Sequence, residues 1–214
     1  MNVKEMVSLM RTLGIGEVYN DKESEEIYLR FLRLAHDKLY SITAALNDDL
    51  YITETISSVP NEKSIILSQD PFIIDDEIWC ETTSSYVVGC SVKEFNRYKR
   101  ENRNPGYPTI YSNVKRVINF TPIAYNIPYI FEVDFKPDVN RFEINTPESA
   151  IPYPISFHWV LVSGALYYLF HDESGFKNTI KEKSAEKEWE DGKKDLISYL
   201  YGRSKQTNSM YERI

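Results

Sequence analysis

The run from Ile155 to Phe170 constrains this chain more than any other stretch. It is 16 residues long, and its clearly polar members are only Ser156, His158 and Ser163. A bilayer span needs about 20 largely apolar residues, so the run reads as a helix buried in protein. A helix that is apolar all round needs neighbours on every side. Pro152 and Pro154 lead into it, and Pro154 stands where a first helical turn tolerates proline.

The neighbours come from both ends of the chain. Val3, Met6, Val7, Met10 and Leu13 recur at helical spacing over 3–13, and Gly14 and Gly16 stop that helix. A second helix is predicted over 21–46, with Asn20 and Glu23 spaced as a capping box. Tyr28, Leu32, Ala35, Leu39, Ile42 and Leu46 form its apolar stripe, which Ile27, Phe31 and Leu34 widen into a second face. A last helix is predicted over 177–201, with Ala185, Trp189, Gly192, Leu196 and Tyr199 as its stripe. The polar segment from Gly202 reads as a flexible tail.

Residues 50–146 change character. Short β-rich runs alternate with turn residues: Leu50–Ile56, Ser64–Leu67, Ile73–Trp79, Tyr86–Val92, Lys115–Phe120, Tyr129–Phe135 and Arg141–Ile144. Such spacing suggests an antiparallel meander. In the sixth run Tyr129, Phe131, Val133 and Phe135 share one face, and Glu132 and Asp134 the other. A short basic helix over 91–103 interrupts the series. The expected fold is therefore α+β. A helical bundle, 1–49 with 150–201, carries an inserted antiparallel β-rich lobe over 50–149, and 202–214 is a flexible C-terminal tail.

Charge and residue usage exclude several functions. Net charge is −7, unlike a general nucleic-acid binder. It is unevenly spread: residues 93–116 carry seven Lys or Arg and two acids, while 50–92 carry one Lys and seven acids. Such opposed segments suit contact between neighbouring copies. Cys80 and Cys90 have no CxxC spacing and read as thiols in a reducing compartment. His36, His158 and His171 lie in no metal-binding spacing, and neither HExxH nor GxSxG occurs. Only 8 glycines are present, and no phosphate-cradling glycine loop is among them. One catalytic pattern remains, the acid-x-Lys string of Glu132, Asp134 and Lys136, which resembles the metal-binding strand of the restriction-endonuclease superfamily. The acid that the superfamily carries shortly before that strand is missing, since none occurs between Glu101 and Glu132. The chain is accordingly expected not to be an enzyme and to hold no cofactor or metal.

The layout resembles the head-to-tail adaptor proteins of tailed bacteriophages. The resemblance rests on the short and long N-terminal helices and on the Pro108-Thr109-Ile110-Tyr111 and Phe120-Thr121-Pro122 texture. It rests most on the Pro-led apolar helix containing Gly164-Ala165-Leu166-Tyr167, followed by His171-Asp172-Glu173-Ser174 and a charged helix bearing Trp189. The 93–103 excursion has no counterpart in the family. The resemblance implies a structural virion protein that forms a ring below the portal and extends the DNA channel to the tail. The ring is expected to be 12-fold. The implied partners are further copies of the chain, the portal protein, a downstream tail or tail-ring protein, and passing DNA bound without sequence specificity, with no membrane. The implied place is the portal vertex of the virion, after assembly in the host cytoplasm. Lys93, Arg97, Lys99, Arg100 and Arg103 form a basic arm facing a neighbouring subunit or DNA. Lys205, Met210, Tyr211, Arg213 and Ile214 belong to a tail docking on the portal. The alternative readings are another tail-ring or tail-completion protein, or a metal-dependent nuclease using Glu132, Asp134 and Lys136.

Overall fold

A computed structural model describes residues 1–14, 22–60, 62–101, 106–122, 127–138, 142–172 and 177–211, without the side chains of 22–24 and 204–211. The expected Asn20–Glu23 capping box, Arg103, Arg213 and Ile214 lie outside this description. The chain divides into two compact units, Met1–Asp48 with Val139–Ile214, and Asp49–Asp138. Its helices are α1 (Val3–Leu13), α2 (Lys22–Thr43), α3 (Val92–Glu101), α4 (His158–His171) and α5 (Thr179–Tyr211). Its strands are β1 (Ile52–Ser57), β2 (Ser64–Ile66), β3 (Pro71–Ile74), β4 (Glu77–Cys80), β5 (Ser85–Gly89), β6 (Ile110–Val114), β7 (Val117–Thr121) and β8 (Ile130–Pro137).

In the first unit α4 is the hub. Ten of its 14 residues are buried, so apolar side chains leave it on every side. Helices α1, α2 and α5 each pack against it. Backbone approach between α4 and α5 is set by two glycines facing three large side chains. A Cβ at Gly164 would stand 2.6 Å from Cε3 of Trp189, and one at Gly192 would stand 2.7 Å from Val160 Cγ2 and 2.8 Å from Trp159 Cη2. Both distances are far inside van der Waals contact, so each helix lends the other the space its glycine leaves.

Phe142–Ile144 is irregular, where a strand was expected. The reason lies in its side chains. The Phe142 ring stacks on buried His36 at 3.9 Å between centroids, and Arg33 Nε donates to the Phe142 carbonyl at 2.7 Å. Paired there, this backbone has no free ladder to offer a sheet. Helix α5 runs on to Tyr211 through the segment expected as a flexible tail. The chain after Gly202 contains no proline, and a single glycine in a helix costs only about 1 kcal/mol.

The second unit is where the expected fold class fails. It holds an eight-stranded, nearly closed mixed sheet of order β1-β8-β4-β5-β6-β7-β2, with β3 also pairing β8. The antiparallel meander is corrected at β5 and β6, which run parallel. Parallel neighbours need a crossover, usually helical. The basic stretch expected to interrupt the strands is that crossover, α3. The expected helical bundle with an antiparallel lobe is thus replaced by helices around α4 and a mixed barrel-like sheet. Inside the sheet lie Phe131, Val133 and Phe135 of β8, with Ile78, Cys80, Val87, Ile118 and Phe120. Phe120 and Phe131 stack at 4.1 Å.

The glycines give a prediction of opposite signs. Nothing lies within 4 Å of a Cβ at Gly202, so Gly202→Ala should stabilise by about 0.5–1 kcal/mol through helix propensity. Gly164→Ala should destabilise by about 1–3 kcal/mol, because overpacking exceeds that gain. Urea unfolding of both variants checks this, and equal signs would refute the α4–α5 packing.

His36 gives a second prediction. Burial lowers its pKa from about 6.5 to about 3, so the folded state holds the ring neutral. The resulting stability is fully present above about pH 6.5. It falls with decreasing pH, by about 1.4 kcal/mol per unit until the folded value is reached. His36→Phe should show a flatter decline between pH 6.5 and 4 than the parent in thermal melts, and parallel declines would contradict the assignment.

Candidate functional site

The basic arm is built on α3. Ser91 and Glu94 start the helix: Ser91 Oγ donates to Glu94 Oε2 at 2.6 Å, and Glu94 N donates to Ser91 Oγ at 3.3 Å. The bond from Ser91 Oγ and a second from Ser91 N to Glu94 Oε2 at 3.2 Å, with Arg97 and Lys93 nearby, hold the Glu94 carboxyl below the usual range. Phe95 is the buried residue of the helix, and α3 lies on β6 and β7. Tyr98 Oη is 3.3 Å from Thr109 Oγ1. Lys93, Arg97 and Arg100 follow at i, i+4 and i+7, a single stripe on the side away from Phe95. All three are exposed, as is Lys99 on another side of the helix.

A second surface lies on the outside of the same sheet. Registers join Thr55 to Glu132, Glu132 to Trp79 and Trp79 to Tyr86 in one row. In the next row Thr53 opposes Asp134, and Glu77 opposes Val88. Asp75, Asp76, Glu77, Trp79, Tyr86, Glu132 and Asp134 line one open groove. Trp79 and Tyr86 meet edge to face at 5.0 Å. Tyr86 is 58% exposed and Val88 46%, so acidic and apolar surface are interleaved. Sequence reading registered the negative charge of 50–92 but not this assembly. Its available signal was the Asp75-Asp76-Glu77 run entering a hairpin whose alternate residues are aromatic.

The acid-x-Lys string is divided. Glu132 and Asp134 share the groove, whereas Lys136 is buried with Nζ 4.4 Å above the Tyr51 ring. Phe135 and Lys136 are both buried, and the irregularity in the pairing of β3 with β8 falls in β3, between Pro71 and Ile73. Among the described residues no group of three or more His, Cys, Asp or Glu is placed to hold a metal ion. The histidines are spent on structure. His158 Nε2 donates to the Tyr153 carbonyl at 3.0 Å, and His171 Nδ1 lies 2.7 Å from Glu182 Oε1, tying α4 to α5. Cys80 and Cys90 are free thiols, and burial together with Glu94 raises Cys90.

The portal-docking candidates Lys205, Met210 and Tyr211 fall on the last turns of α5, while the basic arm belongs to the other unit. On α2, Leu32, Ala35 and Leu39 are fully buried, but Ile27, Leu34 and Ile42 are 36%, 37% and 43% exposed. Phe31, expected on the second face with Ile27 and Leu34, is buried, so that face is only partly at the surface of the chain, where Ile42 of the first stripe joins it. Among the described residues no helix is long and apolar enough to cross a membrane. No protein-family model matches this chain, and no curated protein matches it.

Phe95 anchors the basic stripe. Phe95→Ala should cost about 3 kcal/mol in stability and speed tryptic cleavage at Lys93, Arg97, Lys99 and Arg100. Limited proteolysis followed by mass spectrometry reads this, and unchanged cleavage would mean that α3 is held by other contacts.

Proposed function

We propose that this chain is a structural virion protein, a head-to-tail adaptor that forms a ring below the portal and extends the DNA channel. The observation that carries the reading is the set of apolar side chains that α2 leaves at the surface. Ile27 and Leu34 stand two turns apart, and Ile42 follows two turns further on. Large apolar side chains aligned on a helix that already has a complete buried face suit contact with another subunit. Tyrosine, present at 16 positions, suits broad protein contacts. The buried Gly164-Ala165 pair of α4, followed by the charged α5 with Trp189 packed inside it, agrees with the part of the adaptor resemblance that is densest in sequence.

In this role the protein performs no reaction. It positions copies of itself around an axis, with the portal on one side and a tail or tail-ring protein on the other. Closed cyclic symmetry fixes its number.

Quantitative mass spectrometry of purified particles, normalised to the major capsid protein, tests the reading. A constant copy number of about 12, or a small multiple of it, is the expected result. Absence of the chain from the particles would overturn it. An independent check lies on α2. Ile27→Glu with Leu34→Glu should leave the monomer folded and abolish incorporation, because both side chains are already at the surface.

A further inference from the structure

We propose that the outer face of β8, β4 and β5 is a docking surface for helix α3 of a second copy of this chain. The inference rests on the ring reading above and names the contact that would join its neighbours.

Charge complementarity identifies the occupant. The face presents Glu77, Glu132 and Asp134, and the rim of its groove adds Asp75 and Asp76. Helix α3 presents Lys93, Arg97 and Arg100 on one stripe, and Lys99 is exposed on another side of the helix. Of the two acids of the helix, Glu94 is turned to Ser91, and Glu101 follows Arg97 at i+4 at the C-terminal end of the stripe, which leaves the stripe with three cations against one acid. Spacing agrees as well. Seven residues of helix advance about 10.5 Å. On the face, Glu132 and Asp134 are about 7 Å apart along one strand, and the neighbouring strand lies about 4.8 Å to the side. Three cations on such a stripe can each reach a carboxylate without distorting either element.

The apolar part of the face selects a side chain of a particular kind. Trp79 and Tyr86 lie among the acids, and Tyr86 and Val88 are largely exposed. Lysine and arginine bring a hydrocarbon stem with their charge, and a guanidinium stacks on aromatic rings. An aromatic floor walled by carboxylates thus fits a basic helix better than a small cation.

The two surfaces do not overlap. Helix α3 covers β6 and β7, whereas the acidic face belongs to β8, β4 and β5. A contact between two different patches on identical chains is heterologous, so each copy has one patch of each kind to offer. Repetition of such a contact closes into a ring when the rotation permits it.

Two charge-reversed full-length variants test the proposal. The first carries Lys93→Glu, Arg97→Glu and Arg100→Glu, and the second Glu77→Lys, Glu132→Lys and Asp134→Lys. Sedimentation velocity over a concentration series at low salt reads assembly, and circular dichroism confirms folding. The parent chain should self-associate, and salt should weaken that association. Each variant alone should associate more than about tenfold more weakly, because like charges then face each other. An equimolar mixture of the two should recover assembly, since each then offers the patch the other lacks. Where either triple variant fails to fold, Arg97→Gln with Arg100→Gln serves in its place and should weaken association in the same direction.

Assembly of folded variants at parental strength, or no recovery in the mixture, would overturn the docking surface. A particle copy number near 12 in that case would leave the ring reading intact and move the subunit contact elsewhere. A parent chain that stays monomeric throughout would also overturn the proposal. So would a stripe that binds duplex DNA in an anisotropy assay while assembly is indifferent to its reversal.

Discussion

Everything in the helical unit depends on how closely α4 can be approached. The helix is apolar on all sides, and its neighbours must come near enough to exclude water. Gly164 lets the indole of Trp189 lie against the backbone of α4, and Gly192 gives the same access to Trp159 and Val160. Trp189 is 2% exposed, so a large ring is buried by the absence of a side chain opposite. The arrangement is reciprocal, and neither glycine works without the bulk that faces it. With that seam closed, α1 and α2 cover what remains of α4, and the first unit has its core.

Much of this was legible in the sequence because helical periodicity is a local signal. The apolar run had to be buried, and the stripes of α1, α2 and α5 named most of the side chains that bury it, although Leu13, Ile42 and Tyr199 at their ends stay exposed. The same holds on β8, where alternation placed Phe131, Val133 and Phe135 inside and Glu132 and Asp134 outside, as the burial pattern has it. Non-local pairing was not legible. Nothing in Ser85–Gly89 or Ile110–Val114 states that these strands run in the same direction. That follows only once the intervening helix is seen as a crossover. The acidic groove escaped for the same reason. Its members come from β4, β5 and β8, and only strand order sets Glu132 beside Trp79.

Lys136 shows how a motif can mislead. Two acids and a lysine at alternate positions should share a face, and in a regular strand they would. Here Lys136 is buried and its ammonium group lies over the Tyr51 ring, so it is not offered to solvent with the two carboxylates. A pattern of residue types specifies chemistry only where all of its side chains reach the same open surface.

The crossover has a consequence for how this protein can vary. Helix α3 supplies the exposed cations and also spans from β5 to its parallel neighbour. The chain has no other route between those two strands. A surface loop can be trimmed or lost, but this segment cannot be removed without unpairing the sheet. Change at the basic stripe is therefore confined to exchange of one side chain for another. The side chains of the stripe can be exchanged in place, while its location on the molecule is fixed by the topology.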